Sequence, residues 1–199
     1  MWPRKYGDAG QAFPIYITVV AGLLFLAFAY VAVGQAAVTR NGAQTAADAA
    51  ALAAAQDTRD KLAGQWKLVV DDPTKWQDIL DGHVAVLDGC ERAGQLAARN
   101  EAHLLGCDPQ LADLSYTVQA ETDGTVGESI VPGTESRHAK ASAKAVIQPL
   151  CQFPPLGTDP GGDTPPQLTC EDGRRWEVNP DDPTGLPEPK DLFDVHLAD

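Results

Sequence analysis

The chain has 199 residues, 44 % of them hydrophobic, with a formal net charge of -13 at pH 7 and four cysteines. Only Asp8 among its 28 acidic residues, and only Arg4, Lys5 and Arg40 among its 15 basic ones, precede position 41, so residues 41–199 carry 27 acids against 12 bases, a balance of -15. That excess excludes binding to nucleic acid or to an anionic membrane surface by charge, and the length beyond the apolar segment allows one small domain.

Residues 1–12 (MWPRKYGDAGQA) are too short and too polar to fold alone and read as a tail. Residues 13–34 (FPIYITVVAGLLFLAFAYVAVG) contain no charged residue, and their only polar side chains are Thr18 and the hydroxyls of Tyr16 and Tyr30. At about 1.5 Å per residue the run reaches roughly 33 Å, enough to cross a hydrocarbon core of about 30 Å, where only a helix satisfies its own backbone. The rival reading is a cleaved secretory signal, with Arg4 and Lys5 as its basic region, but such signals have apolar cores of about 7 to 15 residues. Arg4 and Lys5 on the near flank predict a single-pass cell-membrane anchor, with the N-terminus cytoplasmic and the C-terminal domain extracellular.

Residues 35–70 are dominated by alanine, and no proline falls between Val19 and Pro73. The membrane helix is therefore expected to run on outside, with Asn41-Gly42 as the place for a bend or break, because glycine costs about 1 kcal/mol in a helix interior. Ala43, Ala46, Ala47, Ala50, Ala51 and Ala54 recur at helical spacing. Alanine buries little area, but small side chains let backbones approach closely. Together with Gly22, Ala29 and Gly34, the stripe predicts side-by-side helix packing; the plainer alternative is a helical linker.

Gly7-Asp8-Ala9-Gly10-Gln11 before the apolar run, with Arg40, Gln44 and the run 46–53 (AADAAALA) after it, resembles the N-terminal signature of the TadE/TadG-like proteins of Flp (tight adherence) pilus assembly, above all those of high-GC Gram-positive bacteria. The resemblance covers about the first 55 residues. It implies an N-terminal membrane helix anchoring an extracytoplasmic domain, with pilus assembly machinery or like subunits as partners. Some members are pseudopilin-like and cut after a glycine, which makes Gly10 and Gln11 the implied processing site. The pilin pattern has Glu at the fifth residue after the cut, where this chain has Ile15, so the resemblance implies a role beside the pilus machinery rather than as bulk pilin.

Residues 71–151 read as the α+β extracytoplasmic domain. Asp71-Asp72-Pro73-Thr74 is a stop and a new N-cap, followed by a short helix over 75–80. Trp66, Leu68, Trp76, Ile79, Leu80, Val84 and Val86 are the expected start of the core. Residues 88–102 form an amphipathic helix and residues 103–107 an extended segment. The two legs have similar lengths, roughly 15 and 16 Å, which brings Cys90 back opposite Cys107 and favours a disulfide worth about 3 kcal/mol. The alternative is a metal site, because His83, Cys90, His103 and Cys107 offer four ligands at finger-like intervals.

Alternation over residues 113–121 and 137–148 predicts antiparallel strands, with Asp123-Gly124 as a turn and 125–131 as a returning strand. Residues 152–199 hold most of the prolines and read as a Pro/Gly/Asp-rich loop region that builds no core, ending in a short strand around Phe193, Val195 and Leu197. Cys151 and Cys170 would close its floppy excursion, and Asp159 with Asp163 offers too few oxygens for calcium. Residues 174–178 suggest a short strand.

No phosphate-cradling loop, nucleophile elbow or zinc-protease motif is present, so the expectation is a non-enzyme without cofactor or small-molecule substrate. Three functions follow in order: a structural or assembly component of an Flp-type pilus; an outward-facing binding or sensor module anchored by the helix; and a metal-dependent envelope enzyme.

Overall fold

The structure, a computed structural model, describes residues 12–85, 88–125, 136–153, 166–179, 182 and 185–198. Its dominant element is α1 (Ala12–Leu68), 57 residues long, or about 86 Å at 1.5 Å per residue. No break occurs at Asn41-Gly42; a Cβ on Gly42 would meet nothing within 4 Å. The helix ends at Leu68, beyond which the chain turns, with the Val69 N–H donating to Trp66 O at 3.1 Å and the Asp72 N–H to Val69 O at 2.9 Å; Pro73 then keeps Asp72 out of the helical region.

A short 3-10 turn (Pro73–Lys75) leads into α2 (Trp76–Leu80), followed by α3 (Cys90–Arg99). The charges of α3 suit its dipole, with Glu91 in the first turn and Arg99 in the last. It stops at Glu101, whose positive φ of 53° is the left-handed conformation that closes many helices.

Four strands form the main antiparallel sheet: β1 (Ala102–Gln110), β2 (Ser115–Thr125), β3 (His138–Pro149) and β7 (Phe193–Leu197), in the order β1-β2-β3-β7. Tyr116 faces Ala145 and Val118 faces Ala143 across β2 and β3, while Ala145 and Ile147 face Leu197 and Val195 across β3 and β7. This face carries the buried residues Tyr116, Val118, Ala120, Ala143, Ala145, Ile147 and Phe193. Against the sheet lie α1, which contacts β2, β3 and β7, and α3, which contacts β1 and α1. An α+β domain with two disulfides results, as the alternation of the strands and the helix-to-strand lengths predict.

Between β3 and β7 the chain makes an excursion holding β4 (Cys151–Gln152), β5 (Gln167–Cys170), β6 (Arg175–Glu177) and α4 (Pro189–Leu192). The three strands form a second small antiparallel sheet in which Cys151 is paired with, and disulfide-bonded to, Cys170.

Three expectations are corrected here. Strand β2 does not turn at Asp123-Gly124 but continues to Thr125 with an irregularity in its pairing; the returning strand expected over 125–131 lies, beyond Thr125, outside the described residues. Leu68 is 82 % exposed rather than core, because α1 ends there, and with Val69, Ile79 and Val84 it lines an open groove of about 400 Å³. Val86 lies outside the described residues. The C-terminal region is not without a core: Leu168, Val178, Leu192 and Phe193 are all buried. Isolated apolar residues in a Pro-rich segment do not raise its average hydrophobicity, yet each fills a place that the sheet leaves open. Of the expected core residues, Trp66, Trp76, Ile79 and Leu80 are buried; Trp66 and Trp76 stand 5.4 Å apart, Trp76 also meets Phe153 at 5.1 Å, and Trp76 Nε1 donates to Val69 O at 3.0 Å.

Candidate functional site

Helix α1 divides into three parts by what surrounds it. Over residues 13–34 its large side chains face outward, with Phe13, Phe25 and Tyr30 exposed by 70, 72 and 82 %. An apolar surface of this extent cannot rest in water, and it makes α1 the one helix among the described residues long and apolar enough to cross a membrane. The Thr18 hydroxyl donates to Pro14 O at 2.8 Å, so this polar group is satisfied within the helix, as lipid requires.

Residues 35–42 form a stalk about 12 Å long, with Val38 72 % exposed. At Ala43 the surroundings change: Ala43, Ala46, Ala47, Ala50, Ala51 and Ala54 are all fully buried. The stripe read as a surface for neighbouring helices is therefore covered by the chain's own domain. The physical reason is the one that made the stripe noticeable, since small side chains let a sheet and a second helix come close to the α1 backbone. The sheet supplies small residues in return, with Ala143 and Ala145 buried on β3.

A close approach occurs at Gly89, the residue before α3. A Cβ there would lie 2.3 Å from the Ala54 carbonyl oxygen. Gly89 has an ordinary φ of -85°, so glycine serves here for space and not for backbone freedom. Next to it, Tyr116 joins three elements: its hydroxyl is 2.7 Å from Thr58 Oγ1 on α1 and accepts the Gly89 N–H at 3.2 Å. Thr58 and Tyr116 are both buried. Replacing Tyr116 by Phe leaves the Gly89 N–H and the Thr58 hydroxyl without this partner in the interior, at a cost of about 2 to 3 kcal/mol. Chemical denaturation of Y116F against wild type measures it, with an unchanged m-value expected.

Cys90, the first residue of α3, is bonded to Cys107 on β1, with Cα atoms 5.9 Å apart. That pairing uses both thiols of the alternative metal site. His83 is exposed, and His103 has its Nδ1 2.7 Å from Asp123 Oδ1 and its Nε2 3.6 Å from Glu121 Oε2. The remaining histidines are also occupied, His138 Nδ1 at 2.8 Å from Thr122 O and His196 Nδ1 at 2.8 Å from Asp194 Oδ2. Gly10 and Gln11, and the Asp159 and Asp163 pair, lie outside the described residues.

Electrostatics of the C-terminal excursion centre on Arg174. Its backbone N–H donates to Asp172 Oδ1 at 2.9 Å, its guanidinium pairs with the same carboxylate, and it reaches Asp191 Oδ1 at 3.1 Å. The Arg174 backbone N–H, and next its side chain, hold the Asp172 carboxyl below its ordinary value. A carboxylate depressed in the folded state adds stability that is fully present above the unfolded value of about 3.9 and is lost as pH falls through the folded one. Asp172→Asn is therefore expected to lower the melting temperature slightly at neutral pH and not at all below the folded value. Thermal melts between about pH 7 and pH 2 check this; the effect is small because the pair is exposed.

These observations define a class: a compact α+β domain built around the outer half of a single apolar helix, whose inner half is free to enter a membrane. Residues 10–57 match the model of the TadE/G-like Flp pilus-assembly family. The match spans the anchor, the stalk and the whole alanine stripe, and ends at Asp57, one residue before Thr58. No curated protein and no solved structure matches the chain.

Proposed function

We infer that the protein is a non-catalytic structural or assembly component of an Flp-type pilus, held in the cell membrane by residues 13–34. The N-terminus is cytoplasmic and the domain lies outside, a reading supported by the basic flank at Arg4 and Lys5. The observation that carries this reading is the coincidence of the family match with one continuous helix, which buries no described residue before Ala43 and buries one face from there on. Packing against like subunits or machinery, in a pseudopilin-like manner, then belongs to the exposed stretch 13–42, since the alanine stripe is occupied within the chain. Cleavage between Gly10 and Gln11 is part of the same reading.

The test is complementation of a deletion strain. Full-length protein should restore surface pili, whereas the domain on an unrelated leucine-rich anchor should not. Normal pili in the deletion strain overturn the reading. Rescue by the unrelated anchor favours the second reading, a binding module that is only anchored, for which the exposed groove at Leu68 is the supporting feature. Intact mass from native membranes decides processing: a chain beginning at Gln11 supports it, and one beginning at Met1 or Trp2 makes the helix a permanent, unprocessed anchor.

A further inference from the structure

The two disulfides occupy different surroundings. Cys151 and Cys170 are 0 and 5 % exposed, with Cys151 Sγ 3.2 Å from the Asp191 carbonyl oxygen beneath α4. Cys90 and Cys107 are both half-buried; Cys107 lies on β1, an edge strand of the main sheet, and Cys90 opens α3. Thiol–disulfide exchange needs a thiolate to approach a sulfur in line with the bond, so access decides which bond can exchange.

We propose that Cys90–Cys107 is an exchangeable bond, open to a thiol–disulfide oxidoreductase, while Cys151–Cys170 is a locked structural bond. A thiolate of the incoming dithiol attacks Cys107 Sγ, the S–S bond breaks, and Cys90 departs as a thiolate. The second thiol of the reductant, as its thiolate, then attacks the mixed disulfide and releases Cys107. Two electrons and two protons pass to the protein, and the reductant leaves as a disulfide. Cys90 is the better leaving group because it opens a helix of 10 residues, whose first-turn N–H groups favour a thiolate.

One group opposes the step. An Asp88 carboxylate oxygen and the two sulfurs all lie within 4.8 Å of one another, and Asp88 Oδ1 accepts the Cys90 N–H at 2.8 Å. Its negative charge repels an incoming thiolate and disfavours a departing one, so Asp88 sets how readily the bond opens. Opening does not remove what seats α3, since Gly89 remains against Ala54, its N–H remains on Tyr116, and Ala93 and Ala97 remain buried.

The experiment uses the full chain in detergent micelles, titrated with dithiothreitol, with free thiols alkylated and assigned by mass at each step and folding followed by near-UV circular dichroism. A folded species with one disulfide, alkylated at Cys90 and Cys107, is expected to accumulate first. Asp88→Asn, which keeps the carbonyl oxygen that accepts the Cys90 N–H, should speed that step severalfold. Opening of Cys151–Cys170 first, or of both bonds together with loss of the dichroic signal, overturns the proposal. An unchanged rate in Asp88→Asn overturns the role given to Asp88.

Discussion

Replacing Gly89 by Ala should separate α3 from α1 and cost about 3 kcal/mol or more, at the upper end of what overpacking does. The new methyl carbon would sit 2.3 Å from the Ala54 carbonyl oxygen and 2.9 Å from the carbon bearing it. Both are backbone atoms of a long helix and cannot swing aside as the tip of a side chain can. Any relief must move the start of α3, which also carries the Gly89 N–H bond to Tyr116 and the Cys90–Cys107 bond. Gly64→Ala is the control: the position is exposed on the same helix, and a Cβ there meets nothing within 4 Å. It should stabilise by up to about 1 kcal/mol, the helix-propensity difference. Urea denaturation of the two variants measures both. Equal stabilities would mean that the close approach at Gly89 does not exist in solution.

Ala50→Leu is expected to destabilise the folded domain by about 1 to 3 kcal/mol, and Ala47→Leu by a similar amount. Each residue is fully buried, and the space beside it is shaped for a methyl group. The pair together would remove a large share of the roughly 5 to 15 kcal/mol that holds an ordinary domain. The same substitutions separate two ideas about the stripe. If it were a surface between subunits, leucine would block association and leave the melting temperature of the domain unchanged. With the stripe in the core, the melting temperature falls even in a chain that lacks the membrane run. Such a chain, residues 41–199, should be soluble and folded, since among the described residues every buried hydrophobic one lies at Ala43 or later.

Much of this architecture can be read from the order of residues. The anchor is legible because length and absence of charge are properties of one continuous run, and no tertiary contact is needed to recognise them. The Cys90–Cys107 bond follows from local geometry, as the helix of 10 residues that Cys90 opens and the part of β1 from Ala102 to Cys107 have commensurate lengths. Strands β2, β3 and β7 show in their alternation, which reflects a buried and an open face wherever a sheet is covered on one side. What the sequence could not decide is who covers the alanine stripe. A row of methyl groups says that a backbone can come close and is silent about whose backbone it is. The answer depends on residues distant in the chain, on Gly89 through its missing side chain, on Ala143 and Ala145 across the sheet, and on Thr58 through its bond to Tyr116. In the same way Leu168, Val178 and Phe193 look like stray apolar residues within a Pro-rich region. They become core only because the chain returns to set β7 beside β3, a placement that long-range packing alone determines.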